Sequence, residues 1–81
     1  MKSIYDIQQL LKRFGTIIYV GDRIGDLDLM EAEVRELYQA KFIEPIEYQT
    51  AILLIRHERQ FLLEKEKNNK DILQRKGDTD V

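Results

Sequence analysis

Apolar residues recur along the chain at helical spacing in three separate stretches. In the first, Ile7, Leu10, Leu11 and Phe14 fall at i, i+3, i+4 and i+7, which is one face of a helix. This predicts a helix from Ile4 to about Phe14, with Ser3 as its N-cap and Asp6 three residues on as a weak capping box. Gly15 follows the last apolar position, where a left-handed terminator belongs. In the second stretch, Leu27, Met30, Val34, Leu37 and Tyr38 predict a helix from near Asp26 to near Ala40. Asp26 and Asp28 suit its electropositive first turn, and Glu31 and Arg35 form an i, i+4 pair. The third stretch starts at Pro45, a residue at home in a first helical turn, and places Tyr48, Ile52, Ile55 and Leu62 on one face. It reads as helix to about Lys67, with Asn68-Asn69 as its end and 68–81 as a polar, flexible tail.

Between the first two helices lies Thr16-Ile17-Ile18-Tyr19-Val20, five residues that favour extended backbone. No other stretch offers it a strand partner. It reads either as an extended connector whose Ile17 and Ile18 plug the core, or as an edge strand that pairs with a second copy of the chain. Gly21-Asp22-Arg23-Ile24-Gly25 reads as loop. The expected fold is all-α: a compact three-helix bundle over 1–67, with an extended connector between helices 1 and 2. Short connections favour antiparallel neighbours.

Composition narrows the chemistry. The 81 residues suffice for one domain with one modest core. There is no Cys, one His (His57) and one Ser (Ser3), so Cys nucleophiles, disulfides and Cys-based metal sites are excluded. A hydrolytic triad would have to use the only Ser and the only His, which argues against an enzyme and implies no cofactor. His57, within Arg56-His57-Glu58-Arg59, reads as a solvated residue of a charged helix face. The longest apolar run, Ala51 to Ile55, is far shorter than the roughly 18–20 residues of a membrane span. The N-terminal residues lack an apolar signal core, so the expectation is a cytoplasmic protein without a membrane partner.

The formal net charge of −2 conceals an uneven layout. Residues 1–21 carry +2, residues 22–47 carry −5 and residues 48–77 carry +3. Arg13, Arg23, Arg56 and Arg59, with Lys12 and His57, are cations that could converge on Tyr19. Phosphate attraction together with base stacking is how proteins hold single-stranded nucleic acid. Ile52, Leu53, Leu54 and Ile55 point all round the third helix, more than a three-helix bundle covers. Either the connector wraps the surplus, or Leu53 and Leu54 form an interface with another chain. Asp22, Asp26, Asp28 and Glu31 lie close enough in sequence to suggest a divalent cation, but their spacing is not that of an EF-hand and suits an acidic helix start better.

Residues 4 to about 59 resemble the YqgQ-like family of small bacterial proteins. The resemblance is carried by Tyr5-Asp6-Ile7-Gln8-Gln9-Leu10-Leu11, Phe14-Gly15-Thr16-Ile17-Ile18-Tyr19, Gly21-Asp22-Arg23, Leu29-Met30-Glu31, Glu36-Leu37-Tyr38 and Arg56-His57-Glu58. It implies a three-helix bundle and brings no catalytic motif. Single-stranded nucleic-acid binding is the role suggested for that family. The combined expectation is a non-enzymatic module that binds single-stranded RNA or DNA, RNA favoured, through Arg13, Tyr19, Arg23, Arg56 and Arg59. The alternative is a protein-interaction or homo-oligomerisation module.

Overall fold

The computed structural model describes the backbone of residues 1–79 and the side chains of residues 1–66. It contains α1 (Ile4–Arg13), α2 (Arg23–Gln39) and α3 (Pro45–Thr79), and no strand among the described residues. The all-α three-helix reading of the sequence therefore holds.

Each helix end follows from local chemistry. Ser3 stands at the N-cap of α1 in extended backbone, but its side chain makes no capping bond. Asp6 instead reaches back and accepts from the Lys2 N–H at 2.8 Å. At the other end, the Thr16 N–H donates to the Leu11 carbonyl at 2.9 Å and the Gly15 N–H to Lys12 at 3.0 Å. With Gly15 at φ +84°, this is a complete Schellman termination. Helix α2 ends the same way, with Phe42 N–H to Leu37 at 2.9 Å and Lys41 N–H to Tyr38 at 3.0 Å. Here the left-handed position, φ +66°, is held by Lys41 rather than glycine. A side chain in that region carries about 1–2 kcal/mol of strain, against about 0.4–1 kcal/mol of extra unfolded-state entropy for glycine. Lys41→Gly should therefore raise stability by up to about 1.5 kcal/mol, read as a higher midpoint in thermal denaturation. At the start of α3, Glu47 accepts from the Glu44 N–H at 3.1 Å, one half of a capping box around Pro45.

Helix α2 begins three residues earlier than its apolar pattern indicates. Asp22 is the N-cap, so Arg23-Ile24-Gly25 form the first turn rather than a loop. The two glycines obscure a start that the Asp22 carboxylate dictates.

The helix directions also depart from the antiparallel expectation. Ile4, Tyr5 and Gln8 of α1 line a hollow of about 160 Å³ together with Arg23, Asp26, Leu27 and Met30 of α2. Beyond the opposite ends, Phe14 meets Phe42 with ring centroids 5.5 Å apart. So α1 and α2 lie side by side with their N-termini together. The chain must return along α1, about 15 Å long, before α2 can start. A tight turn cannot do this, whereas the nine residues Phe14–Asp22 reach about 30 Å when extended. The β-branched connector is thus the device that permits parallel neighbours. Helix α3 then runs antiparallel to α2, with Arg23 beside Glu58 at one end and Tyr38 beside Tyr48 at the other.

The core gathers Ile7, Leu10 and Leu11 from α1, Leu27, Met30 and Val34 from α2, Ile43 from the turn, and Ala51, Ile52 and Ile55 from α3. Ile18 of the connector packs against this cluster, as do Leu37, Tyr48, Leu54 and Leu62. Ile17 does not plug the core as expected: successive side chains of an extended chain point to opposite sides, and Ile17 is 80% exposed. Phe14 and Tyr38, both read as core, are instead partly exposed and pair with Phe42 and Tyr48.

Helix α3 continues through Asn68-Asn69 to Thr79, past the end expected at Lys67. Asparagine costs a helix only about 0.7 kcal/mol per residue, and good helix formers flank the pair. At about 1.5 Å per residue this helix accounts for most of the molecule's 58 Å length, against 22 Å and 18 Å across. The flexible tail expected over 68–81 falls on residues whose side chains, with all of Asp80 and Val81, lie outside the described ones. Among the described residues no helix is long and apolar enough to cross a membrane.

Candidate functional site

The acidic start of α2 is occupied by structural bonds. The Asp22 carboxylate accepts from the Gly25 N–H at 3.0 Å. A Cβ at Gly25 would stand 3.1 Å from that carboxylate oxygen, so the glycine makes room for the cap. Asp26 accepts from the Val20 N–H at 2.7 Å and ties the connector to α2. Asp28 forms an ion pair with Arg59 at 2.8 Å. Glu31 is the hub of the seam: it lies 3.1 Å from Arg35, 3.4 Å from Arg59 and 3.9 Å from Arg56. Each of the four acids has a partner, and no cluster able to hold a metal ion is found among the described residues.

The charge layout thereby acquires a structural meaning. The −5 segment carries α2, the +3 segment carries most of α3, and the two helices lie against each other. Among the described residues Arg59 is the most enclosed cation: its side chain is 23% exposed, Glu31 is 18% exposed, and the Arg59 Nε is buried without a hydrogen-bond partner. Arg35 sits on the same seam. The Tyr48 hydroxyl first, and Glu31 with it, hold its guanidinium above the ordinary value. Tyr48 in turn stacks flat on Tyr38, with centroids 4.2 Å apart and planes 3° apart.

The five residues expected to share a nucleic-acid face do not converge on one patch. Arg59 and Arg56 face α2 acids, Arg59 tightly and Arg56 through one long contact. Arg23 is exposed and makes a single 3.4 Å bridge to Glu58. Arg13 stands in the last turn of α1, at the bundle end marked by Phe14 and Phe42 and so away from Arg23. Tyr19 is 86% exposed on the connector between them. The connector therefore has an arginine at each end and a solvent-facing tyrosine between, while Arg56 and Arg59 belong to the helix seam.

Comparison with known proteins agrees with the motif string. The YqgQ-like family model matches residues 1–61. The chain belongs to the YqgQ-like family. It is similar to a Bacillus subtilis (strain 168) protein described as uncharacterized protein YqgQ, at 42% identity over 71 residues, covering 88% of this chain and 94% of that one.

The YqgQ-like match contains the whole core cluster and ends at Phe61, near where α3 outruns the other helices. Within it, the two residues expected at an interface part company. Leu53 is 68% exposed, whereas Leu54 packs against the core. His57 is exposed. Ile17 and Phe42 are exposed apolar residues that periodicity did not single out. For Ile17 the signal was present in the one-residue alternation of an extended segment. For Phe42 no sequence signal separates it from buried Ile43 beside it.

Proposed function

We propose that this YqgQ-like chain is a non-enzymatic, cytoplasmic binding module that takes single-stranded nucleic acid, RNA in preference, along the connector between α1 and α2. The observation that carries the reading is Tyr19, almost fully exposed on an extended segment with Arg13 at one end and Arg23 at the other. A base stacks on the Tyr19 ring, a contact worth about 1–3 kcal/mol that tolerates any sequence. Arg13 and Lys12 hold phosphates at one end. Arg23 exchanges its weak, exposed bridge to Glu58 for a phosphate at the other. Arg56 lies at the margin, and Arg59 stays with Asp28 and Glu31 as part of the scaffold.

Fluorescence anisotropy with short RNA and DNA oligomers at two salt concentrations tests this. Tyr19→Ala should weaken binding by about tenfold or more. Arg13→Ala and Arg23→Ala should each reduce the salt slope by about 1. No binding at low salt, binding indifferent to salt, or an unchanged affinity in Tyr19→Ala overturns the proposal.

A second reading, an interaction or self-association module, is favoured by the exposed apolar side chains of Ile17 and Val20 beside Tyr19, and of Leu53 on α3.

A further inference from the structure

The connector is exposed in its backbone as well as its side chains. Its ends are tied: the Thr16 N–H donates to Leu11 and the Val20 N–H to Asp26. Among the described residues, the N–H groups of Ile17, Ile18 and Tyr19 have no acceptor within the chain. From Thr16 to Tyr19 the burial pattern alternates, with Thr16 and Ile18 half-buried and Ile17 and Tyr19 exposed, as in a strand lying on a core, and at Val20 the chain has left that core. In extended backbone the N–H and C=O of alternate residues leave by the same edge. Thr16 and Val20 bond to the protein from one edge, so Ile17 and Tyr19 present both their groups on the other. That edge is free.

We propose that this free edge pairs with the same segment of a second copy, antiparallel and centred on Ile18, to form a two-fold dimer with a two-stranded ribbon. The inference rests on the self-association reading above and names its partner. The occupant follows from the symmetry of the segment. About Ile18, Ile17 of one copy faces Tyr19 of the other, twice, and these are the residues whose N–H and C=O groups are free. Both facing pairs thus exchange two hydrogen bonds, four in all. Each also sets an aromatic ring against a β-branched side chain, a favourable cross-strand pair. Residues 16–20 carry no charge, so two copies meet there without repulsion. Gly15 and Gly21, both at φ +84°, flank the segment at equal distance from Ile18 and have open space around them. Each would therefore lie across from its counterpart with no side chain in the way. The chain has no other β-type segment, and an edge of this kind is otherwise a liability that proteins blunt with charge or proline. The Tyr19 rings stay on the outer face of the ribbon, so pairing would double a base-stacking platform rather than cover it.

The full chain is tested by light scattering over a concentration series. The mass should rise from that of one chain to that of two. Tyr19→Pro removes a bonding N–H while its φ suits extended backbone, and should weaken dimerisation by tenfold or more. Tyr19→Thr, which keeps the N–H, should retain it. Because the chain has no Cys, Ile17→Cys and Tyr19→Cys chains can be mixed and oxidised. Facing residues of a hydrogen-bonded pair stand about 5.5 Å apart at Cα, within disulfide reach, whereas like positions lie on the diagonal. A cross-linked dimer should form in the mixture and not from either chain alone. A monomer at every concentration overturns both the inference and the self-association reading. A dimer that survives Tyr19→Pro but is lost in Leu53→Asp, or one with no cross-link in the mixture, overturns strand pairing and leaves self-association standing.

Discussion

Ile55→Ala is expected to remove about 2–5 kcal/mol of stability, the range for deleting a fully buried isoleucine without refilling the space. Ile55 is completely enclosed, on the face of α3 that meets both other helices. Alanine recovers a few tenths of a kcal/mol through helix propensity, far less than the cavity costs. Domains of this size sit near the low end of about 5–15 kcal/mol of total stability, so the variant should be close to half-unfolded under mild conditions. Urea denaturation checks it: the midpoint should fall with little change in slope. Leu53→Ala, two residues away on the same helix, should shift stability by no more than about 0.5 kcal/mol. A comparable loss at both positions would mean that α3 is buried on its Leu53 side as well, which the 68% exposure of Leu53 contradicts.

Glu31→Lys is expected to destabilise by roughly 2–3 kcal/mol. One Glu31 oxygen lies 3.1 Å from Arg35, and the other lies 3.4 Å from Arg59 and 3.9 Å from Arg56. A lysine there brings a fourth cation among Arg35, Arg56 and Arg59 and leaves Asp28, paired with Arg59, as their one remaining carboxylate. Removing a partner from a fully buried pair costs about 3–5 kcal/mol. Glu31 keeps some exposure, so solvent screening lowers the figure. The loss should be smaller in high salt, since the Arg35 and Arg56 contacts are open to solvent. Glu31→Gln should fall between wild type and Glu31→Lys. A double variant, Glu31→Lys with Arg59→Glu, should recover part of the loss as a coupling energy, measured by a double-mutant cycle in urea. Full additivity of the two changes would mean that the seam is not a unit.

Much of the fold is legible in the residues because it rests on local physics. Three stripes at helical spacing announce three helices, Gly15 announces the Schellman turn after α1, and Pro45 announces the first turn of α3. The start of α2 is misread because Gly21 and Gly25 look like loop, while the deciding bond is Asp22 capping the Gly25 N–H. The candidate site is less legible. That Tyr19 is unsuited to the core is visible in the chain, and the structure exposes it. That Arg59 belongs to Asp28 and Glu31, about thirty residues away, is not visible, because sequence spacing reports neighbours along one helix and not across two. The grouping of five residues into one face fails for that reason.

The chain by itself determines three helices, one small Cys-free domain, an acidic middle and a basic third segment, since propensity, capping and composition act within a few residues of each position. Only the tertiary structure decides that α1 and α2 run parallel, because the path of the connector depends on what both helices bury against α3. It decides that opposite charge on α2 and α3 becomes a seam, which holds Arg35, Arg56 and Arg59 against Asp28 and Glu31. It also decides which side of the connector faces water, because Ile18 packs against the core and its neighbours Ile17 and Tyr19, on the other side of an extended chain, cannot.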